Sequence, residues 1–318
     1  MKIVVLDGFT LNPGDNPWAA VESLGQVTVY DRTPAEKIIE RATAADVILT
    51  NKTPLTAETL AKLPNLKFIS VLATGYNVVD VQAARRQNIP VSNVPIYGTD
   101  SVAQFVFALL LELCHHVALH SQQVKDGAWT SNPDFCFWKT PLVELAGKTM
   151  GIVGFGRIGR RVGQLADAMG MKVIAHDLYK GQTPNYSSFE WAEIDALFKQ
   201  ADVVSLHCPQ TADNVGFVNA ALLSTMKPSA FFINTARGPL VNETDLAAAL
   251  NAGTIAGAAL DVVSAEPIKA DNPLLKAKSC LITPHIAWAT LEARQRLMQT
   301  TAENVAGFMN GKPVNVVN

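Results

Sequence analysis

Arg237, Glu266 and His285 stand in three segments, Asn234-Thr-Ala-Arg-Gly-Pro239, Asp261-Val-Val-Ser-Ala-Glu-Pro267 and Thr283-Pro-His-Ile-Ala-Trp288. Each segment follows an apolar run with the composition of a buried strand. An arginine grips a carboxylate through two parallel N–H bonds and polarises a carbonyl beside it, with a geometric control that lysine lacks. A histidine titrates near neutral pH, so it can give or take a proton, and a neighbouring glutamate orients its ring. Together the three suit proton transfer at a carbonyl adjacent to a carboxylate. Interconversion of a 2-keto and a 2-hydroxy acid also needs a hydride, and no side chain in these loops supplies one.

The source of the hydride is implied near the middle of the chain. Met150-Gly-Ile-Val-Gly-Phe-Gly-Arg-Ile-Gly159 joins an apolar run ending at Val153 to a stretch with helical spacing over 157–169. Gly154, Gly156 and Gly159 therefore fall on a strand-to-helix turn. There the first glycine permits the tight turn, the second lets a pyrophosphate approach the backbone, and the third lets the helix pack on the sheet. Free amides and the helix dipole at that end favour the phosphate charge. A second strand over 172–176 leads to Asp177, 18 residues beyond Gly159 and placed to bond a ribose 2'-hydroxyl. Its carboxylate would repel a 2'-phosphate, so NAD is expected rather than NADP.

The elements that must position these groups alternate. Residues 3–6, 27–30, 47–50, 68–71 and 91–93 read as strands separated by helical stretches, a βα domain without a glycine fingerprint after its first strand. Residues 101–125 carry the longest helical pattern, read as one helix that links or dimerises domains, and a loop rich in Trp, Phe, Asn and Pro follows over 127–141. Further strands at 203–207, 230–234, 255–261 and 280–283 would complete a second parallel sheet. The final helix, 291–309, comes after the last strand and is expected to return to the N-terminal domain.

Composition narrows the class. The 318 residues allow about two domains, and 26 basic against 28 acidic side chains leave a formal charge of -2 with no long run of either sign. A nucleic-acid or anionic-membrane partner is not suggested. No apolar stretch approaches the length of a bilayer span and no charged leader opens the chain, so a soluble, cytoplasmic protein is expected. Cys114, Cys136, Cys208 and Cys280 lie far apart without metal-ligand spacing, so free thiols and no metal are expected.

Several ordered motifs then resemble the D-2-hydroxyacid dehydrogenase family over essentially the whole chain. They are Val71-Leu-Ala-Thr-Gly-Tyr-Asn-Val-Val-Asp80, the glycine fingerprint, His207-Cys-Pro209, Asn234-Thr-Ala-Arg-Gly238, residues 261–267 and Pro284-His285. The resemblance implies two Rossmann-like or flavodoxin-like βα domains with parallel sheets. An NAD-binding domain over 100–289 would be inserted into a discontinuous substrate-binding (catalytic) domain formed by 1–99 and 290–318. It implies that Arg237, Glu266 and His285 are catalytic and that the backbone of Ala73, Thr74 and Gly75 holds the substrate carboxylate. It also places Arg157 and Ile158 at the pyrophosphate, and Cys208, Pro209 and Asn214 along the adenosine. Thr235, Ala236 and Asp261 fall at the nicotinamide end, with Asp261 accepting from the carboxamide.

Asp134-Phe-Cys-Phe-Trp138 and His285-Ile-Ala-Trp-Ala-Thr290 are similar to the glycerate dehydrogenase, or hydroxypyruvate reductase, branch. That likeness adds Tyr97, Trp138 and Trp288 to the substrate-side residues. Trp288 would narrow the cleft for small substrates, and Trp138 would reach a partner subunit or lie in a homodimer interface. Reduction of hydroxypyruvate, and of glyoxylate, is the expected reaction. Reduction of D-lactate's keto acid or a related one is the alternative within the family, and an NAD(H)-sensing binding protein is the alternative of another class.

Overall fold

Runs such as Lys2-Ile-Val-Val5 and Val47-Ile-Leu-Thr50 are apolar and β-branched almost throughout, so they are stable only as strands covered on both faces. A computed structural model describes all 318 residues, and the chain divides into two α/β units, Met1–Gly98 with Trp288–Asn318 and Thr99–Ala287.

In the first unit, strands β1 (Lys2–Val5), β2 (Gln26–Val29), β3 (Val47–Thr50), β4 (Phe68–Val71) and β5 (Val91–Ser92) form a parallel sheet in the order β2-β1-β3-β4-β5. Short helices α1 (Ala19–Glu22), α2 (Ile38–Ala42), α3 (Ala57–Ala61) and α4 (Val81–Arg86) connect them. Alternate residues feed two cores, one holding Ile48, Ile69 and Val91 and the other Ile3, Leu49 and Phe68. At the strand-order switch between β1 and β3, the Asp7 carboxylate accepts the backbone N–H groups of Asn51, Lys52 and Thr53. The acid after β1 thus ties down the turn after β3.

The second unit opens with α5 (Thr99–His115) and α6 (Val117–Lys125). The spacing over 101–125 predicts one helix, but the structure breaks it. His116 takes a left-handed backbone with φ 45°, and the two segments diverge by 54°. The buried half of the pattern ends there: α5 packs Val106, Leu110 and Leu113 into the core, whereas α6 buries no residue. No single helix is long and apolar enough to cross a membrane.

The sheet of this unit follows. It comprises β6 (Thr149–Val153), then α7 (Arg157–Ala168), β7 (Lys172–His176), β8 (Phe189–Trp191), α8 (Ile194–Gln200), β9 (Val203–Leu206), α9 (Ala220–Leu223), β10 (Phe231–Asn234), α10 (Glu243–Ala252), β11 (Gly257–Leu260) and β12 (Cys280–Ile282). All seven strands are parallel, in the order β12-β11-β10-β9-β6-β7-β8. From β6 the chain winds outward to β8, then restarts at β9 and winds the other way. The reversal puts a crevice at the carboxyl ends of β6 and β9, where open α/β sheets bind ligands. β8 carries no alternating apolar pattern; it is held at the edge by Phe155, Tyr186, Phe189 and Trp191, whose rings meet at centroid distances of 5.1 to 6.5 Å.

The chain returns to the first unit with α11 (Leu291–Met309), capped by the Thr290 hydroxyl accepting from Ala293 N–H. Leu297, Met298 and Val305 complete the second core of that unit. Beyond α11 the tail lies antiparallel to β5, where Val316 bridges Ser92.

Candidate active site

The glycine turn follows β6. Gly154 has φ +92°, and a Cβ there would stand 2.3 Å from the Cys208 amide nitrogen, so only glycine lets the loop after β9 cross the turn. A Cβ on Gly159 would meet the Gly154 carbonyl oxygen at 2.1 Å, which requires glycine where α7 leaves the sheet. A Cβ on Gly156 would meet nothing within 4 Å, so this glycine faces open space. No side chain caps α7, and the amides of Ile158 and Gly159 have no acceptor in the protein. An uncapped helix start at a switch point suits a phosphate group.

Asp177 stands just past β7, and its carboxylate bonds the turn itself. Oδ2 accepts from Phe155 N–H at 2.6 Å and Oδ1 from Tyr179 N–H at 3.0 Å. The acid thus holds the fingerprint turn through Oδ2 and its own loop through Oδ1. Asn214 braces the loop after β9, accepting from Thr211 N–H and donating to the Pro209 carbonyl. Burial pushes the Cys208 thiol up to about 11, so it is a protonated, packing sulfur. His207 bonds the Ser205 hydroxyl at 2.8 Å, and burial holds its pKa down at about 3. It is neutral at physiological pH and unsuited to proton exchange.

Three adjacent strands, β10, β11 and β12, end at the loops carrying Arg237, Glu266 and His285. Asn234, fully buried, shapes the first loop by donating to the Arg237 carbonyl and accepting from Ala236 N–H. Gly238 lies so close to the next loop that a Cβ would fall 1.9 Å from the Val263 carbonyl carbon. The Arg237 guanidinium remains exposed, with a hydrogen bond only to the Ala236 carbonyl. Beside it, the Thr235 hydroxyl oxygen is buried without a partner.

Glu266 and His285 meet directly: Oε2 and Nδ1 are 2.7 Å apart. Nδ1 is thus engaged by the carboxylate, and Nε2 is the second nitrogen of the ring. His285 has φ +56°, an uncommon conformation for a residue with a side chain, and Asp261 enforces it. The Asp261 carboxylate accepts from the Thr283 hydroxyl at 2.7 Å, Ile286 N–H at 2.9 Å and Ala287 N–H at 2.8 Å, gripping both sides of His285. Burial pushes its carboxyl above the usual carboxylate range against the pull of these donors. Glu243, at the start of α10, steadies the Glu266 loop by accepting from Ser264 N–H, its hydroxyl and the Asn272 amide. Neither Asn234 nor Glu243 stands out in the sequence, since a polar strand end and an acid in the first turn of a helix are ordinary.

In the first unit, β4 runs into Ala73, Thr74 and Gly75, whose N–H groups have no acceptor in the protein. Consecutive unpaired amides form a concavity for an anion. Tyr97 and Trp288 pack edge to face at 6.2 Å, both half-buried against the core of this unit. Trp138 is 64% exposed and lines an open concavity of about 380 Å³ with His115, His120 and Phe137. No cluster of His, Cys, Asp and Glu is arranged to hold a metal ion.

Comparison with known proteins gives the family. Residues 107–287 match the family model described as D-isomer specific 2-hydroxyacid dehydrogenase, NAD binding domain. A hydroxypyruvate reductase of Blautia hydrogenotrophica is 54% identical over 321 residues, covering all of both chains. A glycerate dehydrogenase of Methylorubrum extorquens is 40% identical over 284 residues, 89% of this chain and 88% of that one. Among solved structures, a D-2-hydroxyisocaproate dehydrogenase superposes with a TM-score of 0.85 at 26% identity, covering 100% of this chain and 99% of the other.

Proposed function

The chain belongs to the D-isomer-specific 2-hydroxyacid dehydrogenase family, and from that premise we propose that it is an NADH-dependent hydroxypyruvate reductase that also accepts glyoxylate. The single observation that carries the reading is the 2.7 Å bond between Glu266 and His285, at the end of a sheet whose switch point carries the dinucleotide fingerprint. The residues present fit the cofactor: the open face at Gly156, the unpaired amides of Ile158 and Gly159, and the orphaned Thr235 hydroxyl all offer room or donors. When bound, the nicotinamide supplies the hydride.

In this reading the chain's own residues bind, orient and protonate. Gly154, Gly156, Arg157, Ile158 and Gly159 take the pyrophosphate, and Asp177 takes the ribose hydroxyls. Cys208, Pro209 and Asn214 line the adenosine side; Thr235, Ala236 and Asp261 line the nicotinamide side. The free amides of Ala73, Thr74 and Gly75 hold the substrate carboxylate. Arg237 polarises the carbonyl at C2, a task for which its exposed guanidinium is unencumbered. His285 donates its Nε2 proton to the oxygen, and Glu266 fixes the ring orientation and bears the opposite charge.

Three finer assignments go with this. Asp177 selects NADH over NADPH, because a 2'-phosphate would meet a carboxylate already oriented by two amides. Trp288, propped by Tyr97, restricts the substrate to a short chain at C3. The chain pairs with a second copy through α6 and the segment after it, where Val117, Leu119, Val124, Phe135, Trp138 and Leu142 are exposed. The two units serve as substrate-binding and NAD-binding domains.

The test is NADH and NADPH oxidation against hydroxypyruvate, glyoxylate, pyruvate and a branched 2-keto acid. The expected result is the highest kcat/KM with hydroxypyruvate and NADH, with NADPH poorer by roughly tenfold or more, about the effect of one unfavourable charge contact. Preference for pyruvate would replace the substrate assignment. A flat response to every acid would overturn the reductase reading in favour of an NAD-binding module.

A further inference from the structure

The amides of Thr74 and Gly75 can face a carboxylate only if the peptides that carry them are turned the right way, and the loop contains little to turn them. Residues 73–78 form neither helix nor strand; at the far end the Val78 carbonyl accepts from Leu55 N–H, and the Ala73–Thr74 end is fixed on the segment after β5. Val94 N–H donates to the Ala73 carbonyl at 3.0 Å, and the Thr74 hydroxyl donates to the Val94 carbonyl at 2.9 Å. Asn93 Nδ2 donates to the Thr74 carbonyl at 2.7 Å.

In a trans peptide the C=O and the following N–H point in opposite directions. Anchoring the carbonyls of Ala73 and Thr74 on residues 93 and 94 therefore turns the N–H groups of Thr74 and Gly75 away from that segment, toward the open side. Thr74 is exposed and Gly75 half-buried, and neither amide has an acceptor in the protein.

Asn93 is itself held rigidly. It is 8% exposed, its carbonyl accepts from Asn304 Nδ2 at 2.9 Å, and its N–H donates to the Asn315 carbonyl at 3.1 Å. Asn304, fully buried on α11, also donates to the Ser70 hydroxyl and accepts from Asn315 Nδ2 at 2.8 Å. A buried polar chain of this kind fixes one arrangement, because each broken bond leaves a desolvated group unpaired. Three asparagines separated by about two hundred positions in sequence thus converge on one peptide bond.

We infer that Asn93 is a positioning residue for substrate binding, setting the Thr74–Gly75 peptide so that its N–H faces the 2-keto acid carboxylate, with Asn304 and Asn315 locking Asn93 in place. This rests on the reading of Ala73, Thr74 and Gly75 as the carboxylate-binding loop. Asn93 touches neither substrate nor cofactor. Its loss lets the peptide reorient without altering Glu266, His285 or the dinucleotide turn.

The experiment is steady-state kinetics of Asn93→Ala and Asn93→Asp with hydroxypyruvate and NADH, beside inhibition by oxamate and thermal unfolding. The expected result is a rise of about tenfold or more in KM for hydroxypyruvate and in the inhibition constant of oxamate, with KM for NADH within about twofold and a smaller change in kcat. A merely structural role would instead lower Tm and the active fraction, leaving both carboxylate constants in place, and that outcome overturns the inference. Should neither variant fold, Asn315→Ala in the exposed tail decides: a rise of about two- to threefold in the same KM supports the role, and an unchanged KM overturns it. Wild-type turnover with unchanged variant constants defeats the positioning role alone. Absence of wild-type turnover defeats the carboxylate-loop reading and the role with it.

Discussion

His285 is the residue on which the proposed chemistry turns, and its conformation is bought by its neighbours. A positive φ on a side-chain-bearing residue costs on the order of 1 kcal/mol, and Asp261 offsets it by bonding the residues on both sides. Glu266 then sets the ring through Nδ1. Replacing Glu266 by Gln keeps the shape but removes the charge opposite the imidazolium. Turnover with hydroxypyruvate should fall roughly a hundredfold, the lower end of what general acid catalysis contributes, with KM for NADH little changed. An unaltered kcat would show that the ring needs orientation only. Arg237, Glu266 and His285 stand out in the sequence as candidates because three residues suited to one chemistry follow three strands in order behind a dinucleotide fingerprint. Asn93, Asn234 and Asn304 were not, because an asparagine gains its meaning from the carbonyl it meets, and that partner is fixed only by the fold.

At the scale of elements, the glycine turn and the buried parallel strands were legible because each is specified locally. A tight strand-to-helix turn requires glycine, and a strand covered on both faces must be apolar throughout. The break at His116 was not, since apolar spacing continues across it and only the packing of α5 against the unit's core separates the two segments. The edge strand β8 escaped for a similar reason: aromatic packing rather than alternation holds it. At the amino ends of β6, β9 and β10, Asp202 ties the sheet together, accepting from Thr149 N–H at 2.8 Å and from Lys227 Nζ at 2.8 Å. Burial raises its pKa, but the Lys227 bond and the Thr149 amide outweigh that and leave it lowered. A depressed folded pKa contributes stability above the unfolded carboxylate value, and the contribution is lost as pH falls through the folded one. Asp202→Asn should therefore cost roughly 1 kcal/mol at pH 7, a modest value because Lys227 is partly exposed. In urea titrations the difference from wild type should shrink toward zero as pH falls below the ordinary carboxylate range. A difference that persists there would assign the effect to packing.

Across the whole molecule, the two sheets share an α/β plan but differ at their switch points. In the first, Asp7 occupies the amides after β3; in the second, the amides of Ile158 and Gly159 at the start of α7 have no acceptor in the protein. The order of motifs made the family recognisable from sequence, whereas the hydrogen-bonded chain from the C-terminal tail to the Thr74 loop depends on contacts between the two ends of the first unit's sequence. The central claim is that His285 protonates the substrate oxygen, and its most direct test is steady-state reduction of hydroxypyruvate by NADH with His285→Gln. The expected result is a fall in kcat of at least about a hundredfold, with NADH binding preserved. Unchanged turnover by a folded His285→Gln protein would contradict the claim.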